Sequence, residues 1–306
     1  MILRAMENTD RDMPGDLASA ILHTAAYADV FDYPLTAKEI HRYLTGLCAT
    51  AEQVEQLLQE GAFLSRVGEY YMLPAREMLA DVRRRREQIS NRLWPKALGY
   101  GRIAAGIPFV RMLAVTGSLA MNNVENNPDI DYLVVTAPGR LWTVRAMLLA
   151  LARMAALHGV RICPNYLVTE RAMVFPDQTL YAAHELAQMV PLFGMHVYAQ
   201  LCSLNRWKDR FLPNAQGLPP VRSRVTRRND PMLKPALESL LLKPPSGWFE
   251  QWEMARKMPR LKRQQSSSPE STFTADTCKG HDQRHAQRTE ETYRKRLENF
   301  HLELHG

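Results

Sequence analysis

The strongest constraint on the fold is a series of short apolar runs in the middle of the chain. They are LAVTG at 113–117, DYLVVT at 131–136 and RICPNYLVT at 161–169. Short apolar runs that end in turn residues are typical of buried strands. Helical patterns alternate with them over 140–158, 179–190 and 195–207, and Pro191 and Gly194 separate the last two. The sequence therefore predicts an α+β fold whose central domain covers 99–205.

Residues 17–74 have the element order of a winged helix-turn-helix. The first helix, ASAILHTAAYADVF, ends near Pro34, and capping boxes at Thr36 and Thr50 start two more helices. The segment GAFLSRVGEYYML then predicts a hairpin of two short strands around Gly68. Three helices followed by a small hairpin predict a winged-helix-like domain.

Two functions are open for this winged-helix-like domain. A winged helix often binds DNA by placing its third helix in the major groove. Here that helix, AEQVEQLLQEG, carries Glu52, Glu55 and Glu60 and no basic residue, so it would repel DNA phosphates. The sequence favours a protein-contact or substrate-positioning role, with DNA binding as the alternative.

A run of four arginines occupies positions 83–86, inside a connecting helix predicted at 75–98. The simpler interpretation is a solvated basic face on that helix. The alternative is a patch that steers an anionic substrate towards the protein.

The segments outside these domains have weaker patterns. A helical C-terminal region is predicted at 206–261, with helices near 231–242 and 247–257. The polar, Ser-rich segment 262–285 predicts a disordered linker. Helical spacing returns at 286–306, and the first residues, 1–16, are predicted to be a flexible N-terminus.

Composition narrows the partners and the compartment. A formal charge of +7 and a pI near 9.3 favour polyanionic partners such as nucleotides or nucleic acid. Four scattered cysteines without a CxxC pair argue against a zinc site and fit reduced thiols in the cytoplasm. The N-terminal residues lack the apolar run of a signal peptide, and arginines interrupt the most apolar stretch, 141–160. We therefore expect a soluble cytoplasmic protein with no membrane partner.

The stretch VTGSLAMNNVENNPDIDYLVV carries the candidate chemistry. Because side chains alternate along a strand, Asp129 and Asp131 project from one face and Ile130 from the other. Neighbouring carboxylates repel each other unless a cation lies between them, and Mg²⁺ binds such oxygens together with substrate phosphates. Upstream, Gly117 lets the backbone approach a phosphate, and Ser118 can donate a hydrogen bond to it. The sequence predicts two catalytic, Mg²⁺-binding aspartates and a nucleotide-binding Gly-Ser turn.

The Gly117-Ser118 turn followed by Asp129-Ile130-Asp131 resembles the DNA polymerase β-type nucleotidyltransferase superfamily. The resemblance implies a nucleotidyltransferase-like mixed sheet with helices at 99–205. It also implies transfer of a nucleoside monophosphate from a nucleoside triphosphate to a hydroxyl on a small molecule, a protein or a nucleic acid. The whole chain also resembles uncharacterised bacterial nucleotidyltransferase-domain proteins, in which segments like DVFDYPLT, CPNYLVTE and AAHELAQMVPLFG recur.

One position departs from the superfamily pattern. Its members commonly place a third carboxylate on a later strand, where this chain has Asn165 in RICPNYLVT. Asparagine can coordinate a metal but cannot take a proton at neutral pH. Asn165 is therefore a candidate metal ligand only, and Glu170 replaces it if the register differs. The alternative function is a catalytically weak or inactive, nucleotide-sensing, DNA-binding regulator.

Simpler roles are open for the other candidates. Ser118 can cap a helix, which is compatible with phosphate binding. Asn165 can be a structural hydrogen-bonding residue. The pair His184-Glu185 lies on a predicted helix without HExxH spacing, so we do not expect it to bind a metal.

Overall fold

The computed structural model describes residues 16–61, 63–126, 128–220, 234–241, 246–265, 272–280 and 285–305. It confirms an α+β fold with a mixed sheet. In these ranges the helices are α1 (Leu17–Asp29), α2 (Ala37–Arg42), α3 (Ala51–Glu60), α4 (Leu79–Gly106), α5 (Gly117–Ala120), α6 (Leu141–Leu157), α7 (Leu180–Gln188), α8 (Met195–Leu204), α9 (Lys234–Leu241), α10 (Ser246–Gln265) and α11 (His285–His305). The strands are β1 (Leu35–Thr36), β2 (Ser65–Val67), β3 (Tyr70–Met72), β4 (Val110–Thr116), β5 (Asp129–Thr136), β6 (Arg161–Thr169), β7 (Val190–Phe193), β8 (Thr272–Phe273) and β9 (Thr277–Lys279).

The N-terminal unit, residues 16–61 and 63–74, has the predicted helices and hairpin. Thr36 and Thr50 begin α2 and α3 through complete capping boxes. In each, the threonine side chain accepts from the backbone N–H of the residue three positions later, and the threonine backbone N–H donates to that residue's side chain. The short strand β1 pairs with β3, which extends the hairpin to the order β1-β3-β2. The sequence analysis missed β1, because a two-residue strand shows no alternation.

The central sheet has the strand order β7-β4-β5-β6-β9-β8 among the described residues. The pair β5 and β6 is parallel, and the other neighbouring pairs are antiparallel. The crossover between the parallel strands runs through α6, as parallel pairing requires. The sheet is therefore mixed.

Alternation along β5 divides the core into two layers. Ile130, Tyr132 and Val134 pack with α4, α6 and α10 on one face of the sheet. Leu133 and Val135 pack with α7 and α8 on the other. No helix in the described ranges is both long and apolar enough to cross a membrane.

The predicted disordered linker at 262–285 is wrong over much of its length. Its first residues, 262–265, continue α10, and residues 272–280 form the β8–β9 hairpin on the edge of β6. Phe273 and Cys278 are buried there. These strands are only two or three residues long and each contains a single apolar residue, so their pattern resembles a linker. Residues 266–271 and 281–284 lie outside the described residues, as do residues 1–15 of the predicted flexible N-terminus.

Two other elements differ from the predicted boundaries. The connecting helix predicted at 75–98 begins at Leu79 and continues through Pro95 to Gly106. The break predicted around Pro191 is the strand β7, which pairs with β4 at the sheet edge, where a missing N–H is tolerated.

The arginine run is neither a uniformly solvated face nor a free basic patch. Arg83 is 3% exposed, and its guanidinium lies 2.9 Å from Glu39 and 2.8 Å from Glu87. It also donates to the Pro34 carbonyl and stacks over the Tyr33 ring at 3.9 Å. Arg83 therefore joins α4 to the N-terminal unit through a buried ion pair.

The ion pair sets the charge state of its carboxylate. Burial acts to raise the pKa of Glu39, but the adjacent Arg83 charge and hydrogen bond outweigh burial and lower that pKa below its ordinary value of 4.5. A lowered carboxyl pKa stabilises the fold above pH 4.5, and this contribution is lost as the pH falls through the folded-state pKa.

We expect Arg83→Met to lower the free energy of unfolding by about 3 kcal/mol or more, because it leaves the buried Glu39 carboxylate without its cation. Urea unfolding at pH 7 measures this loss, and the loss should shrink as the pH falls, because protonation removes the unpaired charge of Glu39 in the variant. Arg84→Met is the matched control, since Arg84 is exposed and its carboxylate partner, Asp81, is exposed as well. Its cost should stay below about 1 kcal/mol. Equal losses for the two variants would contradict the assignment.

Candidate functional site

The two predicted aspartates lie at the start of β5. Asp129 and Asp131 are both half-buried, while Ile130 between them is buried in the opposite core layer. Both carboxylates therefore project from the face that α7 and α8 cover, as the alternation predicts. The structure brings the pair together at one end of the strand.

Gly117 lies directly against one of these carboxylates. The antiparallel register places Thr116 opposite Asp131, and Gly117 follows with a φ of +65°. A Cβ atom at Gly117 would lie 2.7 Å from Asp131 Oδ2. Glycine is required at this position for two reasons, the left-handed backbone and the close approach of the carboxylate.

Ser118 is exposed beside this contact, in the first turn of the short helix α5. Thr116 occupies the N-cap position, so Ser118 does not cap the helix. Its carbonyl accepts from the Asn123 backbone at 2.8 Å. Its hydroxyl makes no hydrogen bond with the part of the chain that the structure describes, and it is available to a ligand.

The surroundings of Asp131 strongly disfavour its charged form. Burial, followed by the charges of Asp129 and Glu185, raises the pKa of Asp131 to about 7, and a hydrogen bond from the Cys163 thiol partly offsets this. Burial, followed by the charges of Asp131 and Asp129, raises the pKa of Cys163 to about 12, so the thiol keeps its proton. The site thus carries excess negative charge that a bound cation would neutralise.

Glu185 is the acidic residue that the sequence analysis did not assign to the site. It lies half-buried on α7, and burial raises its pKa to about 7. Its neighbour His184 is buried elsewhere, stacked on Tyr27 with ring centroids 4.0 Å apart. No spacing rule could have found Glu185, because only the tertiary fold brings α7 over the face that carries Asp131.

The register places neither predicted alternative for a third ligand directly opposite the pair. Cys163, not Asn165, is opposite Asp131. Further along, Tyr132 pairs with Pro164 and Leu133 with Tyr166, so Asn165 is left unpaired in a bulge. Glu170 lies at the far end of β5, where its N–H donates to Thr136 and its carboxylate is 4.0 Å from Arg111. Metal ligation by Asn165 stays a prediction.

The comparisons supply no relative for this chain: no protein-family model, no curated protein and no solved structure matches it. Within the described ranges, no group of three or more His, Cys, Asp or Glu side chains is arranged to hold a metal ion. The candidate site therefore consists of one close carboxylate pair, an adjacent Gly-Ser turn, and Glu185 as a more distant charge.

We expect Gly117→Ala to cost more stability than Gly139→Ala. Both glycines have left-handed backbones, with φ values of +65° and +68°, so both variants incur roughly 1–2 kcal/mol of backbone strain. A Cβ at Gly139 meets nothing within 4 Å, whereas one at Gly117 meets Asp131. Urea unfolding of the two variants isolates the carboxylate contact. Equal losses of stability in the two variants would mean that the Asp131 side chain rotates away from a Cβ at position 117 without a measurable cost.

The pKa of Asp131, followed by carboxyl NMR titration, tests the electrostatics. Asp129→Asn should lower it most, and Glu185→Gln should lower it by a smaller amount, because each removes a repelling negative charge. Glu170→Gln is the matched control and should leave the Asp131 pKa unchanged. A response to Glu170→Gln, or none to Asp129→Asn, would contradict the described arrangement.

Proposed function

We propose that the protein is a Mg²⁺-dependent nucleotidyltransferase, which transfers a nucleoside monophosphate from a nucleoside triphosphate to a hydroxyl acceptor. The observation that supports this most directly is the Asp131 carboxylate packed against the Gly117 backbone beside Asp129. That contact places a pair of acidic oxygens next to a turn whose backbone a phosphate can approach.

The donor set fits Mg²⁺. This ion prefers oxygen ligands and is commonly bound by one or two carboxylates, with substrate phosphates and water completing its coordination. Asp129 and Asp131 would hold it, and their mutual repulsion favours a cation between them. When bound, the ion supplies charge neutralisation for the triphosphate and its leaving pyrophosphate.

The remaining site residues supply positioning and proton acceptance. The exposed Ser118 hydroxyl can donate a hydrogen bond to a phosphate oxygen. Glu185 offers a carboxylate on the same face of the sheet, and unlike Asn165 it can accept a proton from an acceptor hydroxyl. The predicted position for a third carboxylate, on β6, holds Asn165. Because Glu185 can provide that carboxylate, we favour a catalytic site over an inactive one.

The N-terminal unit is placed to position a substrate. Tyr27 stacks on His184 of α7, and the Tyr33 hydroxyl donates to the Met121 carbonyl just after α5, at 2.9 Å. These two helices carry Glu185 and Ser118. We therefore assign this winged-helix-like unit to supporting the site and contacting the acceptor.

Duplex DNA binding by this unit is the less favoured alternative. The exposed side chains of α3 are glutamate and glutamine alone, at Glu52, Gln53, Glu55, Gln56, Gln59 and Glu60. A negative surface of this kind repels DNA phosphates. If the protein were a nucleotide-sensing, DNA-binding regulator, salt-dependent duplex binding would persist when Asp129 and Asp131 are both neutralised.

Thermal-shift measurements with the four nucleoside triphosphates test the proposal. We expect at least one to stabilise the protein only with Mg²⁺, by about 2.7 kcal/mol at a hundredfold excess over its dissociation constant. Asp129→Asn combined with Asp131→Asn should abolish this stabilisation and any release of pyrophosphate. The control Asp81→Asn removes an exposed carboxylate outside the site and should change neither.

Two outcomes would overturn the assignment. One is equal nucleotide stabilisation of the protein and the double variant. The other is stabilisation that does not depend on Mg²⁺.

A further inference from the structure

An exposed aromatic and basic surface lies on α10, away from the aspartate pair. Trp248 is 65% exposed, Phe249 37% and Trp252 44%. The two indoles are nearly parallel, with ring centroids 6.2 Å apart and an angle of 19° between their planes. Exposing three large aromatic rings within five residues is costly in water, which indicates a binding role.

Cations continue this surface along the same helix. The Arg256 guanidinium lies 5.2 Å from the Trp252 ring centroid, and Arg260 and Arg263 are exposed beyond it. Lys257 lies beside them, and the pKa of its ammonium is lowered by burial and by the charges of Arg256, Arg145 and Arg260. Positive charge is thus concentrated next to the rings.

The two acidic residues of α10 are both buried. The helix sequence contains two, Glu250 and Glu253. Glu250 is buried and accepts from the backbone N–H groups of Trp142 and Thr143 at 2.9 and 2.7 Å, at the start of α6. Glu253 is 2% exposed and pairs with Arg256. The exposed side of α10 therefore presents the rings together with Arg260 and Arg263, while Arg256 beside Trp252 is ion-paired with the buried Glu253.

We propose that this surface, formed by Trp248, Phe249, Trp252, Arg256 and Arg260, binds single-stranded nucleic acid. Unpaired bases stack on aromatic rings, and arginines pair with the phosphates between them. The four-residue step from Trp248 to Trp252 rises about 6 Å along the helix, which presents two indoles to neighbouring bases. A duplex would not offer its base faces to these rings.

The way α10 packs argues for a nucleic acid over a lipid surface. Met254, Met258 and Leu261 of this helix pack into the core, so its apolar stripe is already used. The exposed rings are interrupted by Gln251 and end at Arg256. Insertion into a membrane interface requires a continuous apolar face, which the exposed side of α10 lacks.

The surface is independent of the proposed nucleotidyltransferase site. Glu250 contacts the start of α6, which follows the end of β5, whereas Asp129 begins that strand. The eight residues of β5 span roughly 23 Å. A strand bound on α10 would therefore be anchored well away from the aspartates.

Fluorescence anisotropy of labelled 12-nucleotide oligo-uridylate and oligo-thymidylate tests the proposal with the full chain. We expect binding at 50 mM salt that weakens steeply with added salt. Trp248→Ala combined with Trp252→Ala should reduce affinity by about 30-fold or more, since each stacked base contributes at least a fivefold effect. Arg260→Gln should lower the slope of log affinity against log salt by about 0.7.

The controls separate this surface from general effects. Phe31→Ala removes another exposed aromatic ring, on the N-terminal unit, and should leave affinity unchanged. Asp129→Asn with Asp131→Asn should also retain oligonucleotide binding, so a failure of the proposed enzyme would not affect this test. Circular dichroism and thermal melting confirm that each variant is folded.

Three results would overturn the inference. They are no binding at 50 mM salt, unchanged affinity in the tryptophan variant, and equal or tighter binding of a matched duplex. Partition onto anionic phospholipid vesicles without oligonucleotide binding would assign the surface to a membrane instead.

Discussion

The antiparallel register between β4 and β5 is the constraint on which the candidate site depends. By pairing Thr116 with Asp131, it brings the turn at the end of one strand against the carboxylate at the start of the next. The parallel pairing of β5 with β6 then places the Cys163 thiol on the same carboxylate. A shift of one residue in the first pairing would turn the aspartates into the opposite core layer, where uncompensated charge is strongly disfavoured.

Polar, aromatic and apolar contacts attach the N-terminal unit to the rest of the fold. Arg83 anchors it to α4, and Tyr27 and Tyr33 connect it to α7 and to the segment after α5. Directional contacts of this kind specify orientation, because each is lost if the unit rotates. A fixed orientation would suit the role proposed for this unit, which is to present an acceptor to the half-buried carboxylate pair.

Local patterns predicted much of this architecture. Residue spacing alone predicts three features: the central strands that carry apolar runs, the two capping boxes, and the shared face of Asp129 and Asp131. The strand β7 contains a proline and β9 contains polar residues, so the pairing that makes them strands comes from their neighbours. Glu185 could not be found in this way, because its relation to Asp131 exists only after α7 packs on the sheet.

The contact between Glu250 and the start of α6 also bears on how the chain folds during synthesis. The first N–H groups of a helix lack partners within it, and here a carboxylate more than one hundred residues later in the chain accepts from two of them. The β9 strand joins β6 over a similar separation. Contacts between residues far apart in the sequence slow folding. They also leave the edge of β6 unpaired on the nascent chain until β9 emerges from the ribosome. An exposed strand edge at that stage is a natural site for chaperone protection.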